Sequence, residues 1–184
     1  MRTSLINIRA KAQVYAEVLL EATKASDNVF AVAGELDQLV AAVRGSLELR
    51  KALIDKAIPA QAKQGLVAEI FEGFAPELLA TFDVMVDRED LSLLPRVREM
   101  YGYMAEDALD AAFVDVTTVV PLDEALRQQI ITKYSAQLGR GVLLREFVDS
   151  SLIGGIVLST HGKRIDASVS SQLESARHVL SRTI

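Results

Sequence analysis

The chain contains no cysteine and no tryptophan, only four prolines and two histidines, and nowhere an uninterrupted apolar run of about 18 residues, the length a membrane helix needs. Without cysteine there can be no disulfide, no thiolate metal site and no cysteine nucleophile. The two histidines, His161 and His178, have no carboxylates at ligand spacing around them and read as turn and surface residues, so no metal is expected. Aromatic residues are 5% of the chain and the net charge is −5. Neither a stacking platform nor a basic stripe is available, and nucleic acid is not an expected partner. Met1-Arg2-Thr3-Ser4 leads directly into mixed polar and apolar sequence, so neither a secretion signal nor membrane insertion is expected.

What is present is an ordinary folding composition: 184 residues, 50% hydrophobic and 24% charged, enough for one domain or two small ones. The charge is unevenly spread. Residues 1–110 hold 12 Lys and Arg against 18 Asp and Glu, a net of −6, whereas residues 111–184 hold 8 against 7, a net of +1.

The hydrophobic period changes at the same place. Helical spacing runs through Ile6 to Ala25, Val29 to Arg44, Leu47 to Ala57, Pro59 to Phe74, Pro76 to Asp87 and Leu91 to Leu109. Asp27 suits the N-cap of the second helix, and Pro59 and Pro76 suit first turns, where a missing N–H costs nothing. Beyond residue 110, Ala112 to Val120 is rich in β-branched residues and reads as a strand. Asp123 opens a helix to Leu138, and Gly139-Arg140-Gly141 releases a second strand, Val142 to Val148. Ile156 to Thr160 and Lys163 to Asp166 form a hairpin around His161-Gly162, and a last helix spans Ser168 to Ser181. The expected fold is mainly α: an N-terminal six-helix bundle over 1–109 followed by a small C-terminal α/β domain over 110–184.

Catalytic patterns are missing. Gly139-Arg140-Gly141 lacks the third glycine of a dinucleotide fingerprint, and Gly162-Lys163 lacks the rest of a phosphate loop. Ser150, Ser151, Ser168, Ser170 and Ser171 stand in no nucleophile elbow. The acidic run Asp83, Asp87, Glu89 and Asp90 lacks the spacing of a calcium loop and reads as a solvated helix end. No catalytic residue, cofactor or metal is expected.

The informative feature is an excess of apolar surface on the first helix. Ala12, Val14, Tyr15, Ala16, Val18, Leu19 and Leu20 cover an arc about twice the ~100° of an ordinary surface helix, interrupted by Arg9 and Lys11. Either the helix is enclosed by its own bundle or one flank lines a groove for a partner helix. The fifth helix turns Leu78, Leu79, Phe82, Met85 and Val86 to the core. Val84 is left on the far side with Ala80, between Asp83 and Asp87. Side by side, the two helices would make an apolar groove with an acidic rim, suited to an amphipathic segment bearing positive charge.

Along its length the sequence resembles the delta subunit of bacterial F-type ATP synthase, the family that includes the mitochondrial oligomycin-sensitivity-conferring protein. Ala12-Gln13-Val14-Tyr15-Ala16 is similar to the family's Ala-Arg-Pro-Tyr-Ala element, and Leu91-Ser92-Leu93-Leu94-Pro95 to its link between the fifth and sixth helices. Val116-Thr117-Thr118-Val119-Val120-Pro121-Leu122, Val148 to Val157 and Ile165-Asp166-Ala167-Ser168 follow in family order and spacing. Gln13-Val14, Ser150 and Ala167 depart from the pattern, and Ser170-Ser171-Gln172 lacks the basic residues often found there. The resemblance implies a non-catalytic stator subunit on the cytoplasmic face of the bacterial cell membrane. Its N-terminal part would grip N-terminal helices of the alpha subunits, with Ala12, Tyr15, Ala16 and Leu19 on the first helix and Val84 on the fifth lining the site. Its C-terminal part would meet the b subunit of the peripheral stalk. Gly154 and Gly155 match the family's glycine pair, either touching b or meeting a backbone requirement. A helical adaptor of another assembly would share the over-wide first helix without needing the ordered C-terminal motifs. A small enzyme using the Ser150 to Lys163 region would require a concave polar pocket there.

Overall fold

The computed structural model describes residues 2–160 and 163–181; the expected turn at His161-Gly162 lies outside them. The chain is mainly helical, with a four-stranded sheet in its C-terminal part, and divides into two compact units, Met1–Leu109 and Asp110–Ile184.

The first unit contains α1 (Arg2–Ala25), α2 (Val29–Gly45), α3 (Leu47–Ile54), α4 (Ala60–Ile70), α5 (Pro76–Asp87) and α6 (Leu94–Ala108), with a one-turn 3-10 helix at Leu91–Leu93. Where these bounds depart from helical periodicity, local chemistry explains the departure. Asp27 does not cap α2. It has φ 54°, and the N–H of Asn28 donates to the Thr23 carbonyl at 2.9 Å while that of Asp27 donates to Lys24 at 3.3 Å. This is a Schellman closure of α1, in which the left-handed residue ends one helix and Asn28 begins the next. α3 stops at Ile54 rather than Ala57 because the Asp55 carboxylate accepts the Ala57 N–H at 2.9 Å, an Asx turn that competes with the helix. The chain then reaches Pro59, which stands at the N-cap of α4. α4 ends at Ile70 rather than Phe74, in a turn where Phe74 N–H donates to Phe71 and Gly73 takes φ 89°. Leu91 to Leu109 is interrupted because Pro95 has no N–H to donate backwards, which suits the first turn of a fresh α6.

Some ends are capped from a distance. Glu35 on α2 accepts the Ala75 N–H at 2.8 Å, at the N-cap of α5, and Ser46 accepts the Leu49 N–H at 3.1 Å to start α3. α1 packs mainly on α6 and also against α5 and α2. Ala12, Ala16, Leu19 and Thr23 on α1 are fully inaccessible, as are Leu39 on α2 and Tyr101 and Ala105 on α6. The Tyr101 hydroxyl lies 2.9 Å from the Thr23 hydroxyl and donates to the Val29 carbonyl at 3.1 Å. One buried phenol therefore joins α6, the end of α1 and the start of α2.

The second unit is built on β1 (Ala111–Thr118), α7 (Glu124–Leu138), β2 (Gly141–Val148), β3 (Gly155–Thr160), β4 (Lys163–Ser168) and α8 (Val169–Ser181). The sheet order is β2-β1-β3-β4; β1 and β2 are parallel, and the other two pairs are antiparallel. A parallel pair needs a crossover, and α7 supplies it. Asp123 caps α7 by accepting the Leu126 N–H at 2.7 Å, and Gly139 ends it at φ 71°. Val114 and Val116 of the central strand pack with Leu122, Ile130, Tyr134 and Val142. Arg145 lies 2.6 Å from Asp115, its register partner on β1, and stacks 5.3 Å over Phe113, so both its charge and its planar face are used. No helix among the described residues is long and apolar enough to cross a membrane.

Burial is the chief influence on Tyr101 and pushes its phenol up to about 12 from an ordinary 10.0. The folded unit thus favours the neutral phenol, and its contribution to stability is complete below about pH 10 and lost as the pH rises to about 12. Denaturant titrations across that window should show the helical unit weakening with rising pH. Tyr101→Phe should flatten this slope and cost about 1 to 2 kcal/mol at neutral pH. An unchanged slope in the variant would contradict the assignment.

Candidate functional site

The first helix is less free than its composition implies. Ala12, Ala16 and Leu19 have no accessible surface and Tyr15 is 8% exposed. These four residues, expected to line a groove, instead form the seam on which α1 packs. The apolar surface that α1 does present is the other flank, where Val14 and Val18 are 56% and 60% exposed. Four residues apart, they share one helical face. On α5, Leu78, Phe82, Met85 and Val86 are buried and Val84 is 42% exposed. The structure therefore leaves outward valines on two helices that pack against each other.

A second Schellman closure ties these helices together. The Asp90 N–H donates to the Met85 carbonyl at 2.8 Å and the Glu89 N–H to Val86 at 3.1 Å, with Glu89 at φ 61°. A non-glycine residue in that conformation is strained, and the turn it makes brings Asp90 to α1. Lys11 Nζ donates to the Asp90 carboxylate at 3.1 Å, and the Tyr15 hydroxyl donates to it at 3.0 Å. Burial, then the hydrogen bond to Asp90 and its negative charge, raise the Tyr15 phenol above its ordinary value. Ala10, Lys11, Val14, Tyr15, Arg88 and Asp90 line a shallow depression of about 540 Å³ beside this clamp. Glu89 pairs with Lys56 at 2.6 Å. The acidic run is thus divided: Glu89 and Asp90 are matched by lysines, while Asp83 and Asp87 stand one turn apart on α5. Burial and then the charge of Asp87 raise the Asp83 carboxyl. A cation arriving at this rim would relieve the repulsion.

In the second unit the glycine pair has a structural explanation. Gly155 has φ 87°, and a Cβ there would fall 2.4 Å from the Ala167 carbonyl oxygen and 2.8 Å from Ser168 Cα. It opens β3 opposite Ser168, and Gly154 accepts the Val169 N–H at 2.9 Å as α8 begins. A Cβ on Gly154 would meet only Val169 Cγ2, at 3.2 Å. Exposed apolar residues gather at this same end of the sheet: Val120 and Ile153 are 67% and 72% exposed, and Val148, opposite Thr118, is 58% exposed. Leu173 on α8 is likewise exposed. Composition alone could not single these out, because Val120 and Ile153 lie in the connections that flank β1 and β3, and Val148 ends a strand in which valine would usually face a core. Among the described residues, no group of three or more His, Asp or Glu is placed to hold a metal.

The family model described as ATP synthase delta (OSCP) subunit matches residues 12–180. The chain is similar to "ATP synthase subunit delta" of Rhodopirellula baltica, 33% identical over 164 residues, covering 88% of this chain and 72% of that one. It is also similar to "ATP synthase subunit delta" of Geotalea uraniireducens, 30% identical over 179 residues, with 96% and 99% covered. In three dimensions it resembles a chain in the cryo-EM structure of the Toxoplasma gondii mitochondrial ATP synthase hexamer, with a TM-score of 0.50, 21% identity, and 92% and 96% of the two chains covered. That last likeness concerns the fold.

The glycines make a paired test. Gly155→Ala should destabilise the second unit by roughly 2 to 4 kcal/mol, since left-handed strain adds to a backbone collision. Gly154→Ala should cost no more than about 1 kcal/mol, because a valine rotamer can yield. Hydrogen exchange of the β3 and β4 amides measures both, and equal effects would overturn the distinction.

Proposed function

Since the chain belongs to the ATP synthase delta (OSCP) subunit family, whose members are non-catalytic components of the peripheral stalk, we propose that its two units divide the task of joining head to stalk. The first unit, as the family's N-terminal helical bundle over 1–109, grips an N-terminal helical segment of an alpha subunit. The second, over 110–184, meets the end of the b subunit. The assembly works at the cytoplasmic face of the bacterial cell membrane, with this chain bound peripherally.

The observation that carries the reading is the pair of outward valine flanks on α1 and α5, with the acids Asp83 and Asp87, which no basic side chain matches among the described residues, beside Val84. Val14, Val18 and Val84 offer an apolar strip to a helix, and the acids select one with basic flanks. Ala12, Tyr15, Ala16 and Leu19 contribute from behind: their packing sets the rotation that turns Val14 and Val18 outward. In the second unit Val120, Val148, Ile153 and Leu173 are the apolar surface offered to b, and Gly154 and Gly155 shape the backbone that presents it. The role is mechanical. A stator holds the head still against rotor torque, which calls for slow dissociation at both ends and no reacting group.

Val84 separates the possibilities. Val84→Asp replaces a side chain already 42% exposed, so its cost in stability should stay below about 1 kcal/mol. Its cost in binding should reach about 2 kcal/mol or more, because an apolar partner residue would meet a desolvated carboxylate. Circular dichroism melts beside titration of the full chain with an alpha N-terminal peptide measure both. An unchanged melt with lost binding supports the proposal; a collapsed melt or normal binding contradicts it.

A further inference from the structure

The helical unit has a second apolar cleft, formed by α2, α3 and the 3-10 turn leading into α6. It measures about 290 Å³; Val43, Ile54, Leu91 and Leu94 contribute apolar surface to it, and its charged lining is Arg44 and Arg50. No carboxylate lines it; Asp87 and Glu89 border the adjoining depression on the far side of Ile54 and Leu91, together with Lys56 and Lys63. The Arg50 guanidinium donates to the Arg44 main-chain carbonyl at 2.9 Å, which fixes the Arg50 side chain beside α2, and neither arginine makes an ion pair among the described residues. Within a part of the chain whose net charge is −6 (residues 1–110, 12 basic against 18 acidic), this is a basic island with an apolar floor.

Beside the cleft, α3 carries further exposed apolar surface. Leu47 and Ile54 are 57% and 58% exposed, while Leu49 and Leu53 are buried. Seven residues apart, Leu47 and Ile54 lie on one face of the helix at a separation of about 10 Å. The exposed charges between them in sequence are Glu48, Arg50 and Lys51, two of the three basic. Two large apolar side chains flanking mainly basic ones form a stripe, not a hole. The volume is at the small end of the range for enclosed ligand sites, ~300 to 1,000 Å³. It suits an anchoring side chain from an elongated partner better than an enclosed ligand.

We propose that this cleft is a docking site for an acidic amphipathic helix, seating one apolar residue between Ile54 and Leu91 with its flanking carboxylates on Arg44 and Arg50. The charge preference is opposite to that of the Val84 side of the first strip, where Asp83 and Asp87 stand. One helical unit would then discriminate two helical partners by sign: like charges meeting across either surface are repelled, and opposite ones are steered in.

The test uses the full chain and two fluorescent amphipathic helical peptides sharing one leucine stripe, the first with glutamates flanking it and the second with lysines. The acidic peptide should perturb the amide signals of Ile54, Leu91 and Ser92. Its affinity should fall by about tenfold or more in Arg44→Glu, and again at raised salt. Ile54→Glu provides a second variant at an exposed position that leaves the arginines in place, and it should weaken the acidic peptide similarly. Val84→Asp should leave that peptide's affinity unchanged, which distinguishes this cleft from the proposed alpha site. Equal binding of both peptides, perturbation confined to α1 and α5, or full affinity in both cleft variants would overturn the proposal.

Discussion

The close packing of α1 is the constraint on which the helical unit depends. Ala12 and Ala16 are small enough to let neighbouring helices approach, Leu19 fills the next turn, and all three are completely covered. Such a seam tolerates little rotation, because interiors are packed nearly as densely as crystals and a slipped helix leaves cavities. Polar contacts fix the same setting at both ends. Lys11 and Tyr15 meet Asp90, and Thr23 meets Tyr101, which also reaches Val29. The orientation of Val14 and Val18 follows from this seam. What the unit can bind is therefore decided by residues that a partner would never touch.

Much of this organisation is legible in the sequence, and the parts that are not have physical reasons. Apolar spacing locates the helices, and the change to β-branched residues at Ala112 marks the sheet. The excess width of the apolar arc on α1 is also visible. Which flank of that arc is covered is not, because a wheel treats all neighbours as absent; here the alanines, not the valines, mark the contact. Alanines at i and i+4 were the available signal, since small residues are what close helix approach requires. The outward position of Val84 is readable because its neighbours on α5 supply a complete core face without it. Asp27 misleads because a good N-cap residue also tolerates the left-handed conformation that ends the preceding helix. The reach of Asp90 to α1 depends on a Schellman turn and is purely tertiary.

The two units solve the requirement of a rigid connector differently. The helical unit relies on side-chain packing, reinforced by distant caps such as Glu35 on α5. The sheet unit relies on a parallel β1 and β2 pair covered by α7, with Arg127 of α7 tied to Glu146 of β2 at 2.6 Å. Gly155 lets β3 approach the end of β4 closely at the point where α8 starts. A connector needs surfaces more than pockets, and both units present valine, isoleucine or leucine outside their cores. Scattered exposed apolar residues need no explanation. Val84 stands out because Asp83 and Asp87 accompany it on α5, giving that side of the surface a preference of charge as well as of shape.

The central claim is that the outward flank of α1, and not its buried seam, receives the alpha segment. Methyl NMR of the full chain during titration with an alpha N-terminal peptide tests it most directly. The expected result is saturable shifts and peptide-to-methyl Overhauser contacts at Val14, Val18 and Val84, with no such contacts to Ala12, Ala16 or Leu19. Direct contacts from the peptide to those three seam residues would contradict the account, because they would require α1 to rotate out of the packing that defines the unit.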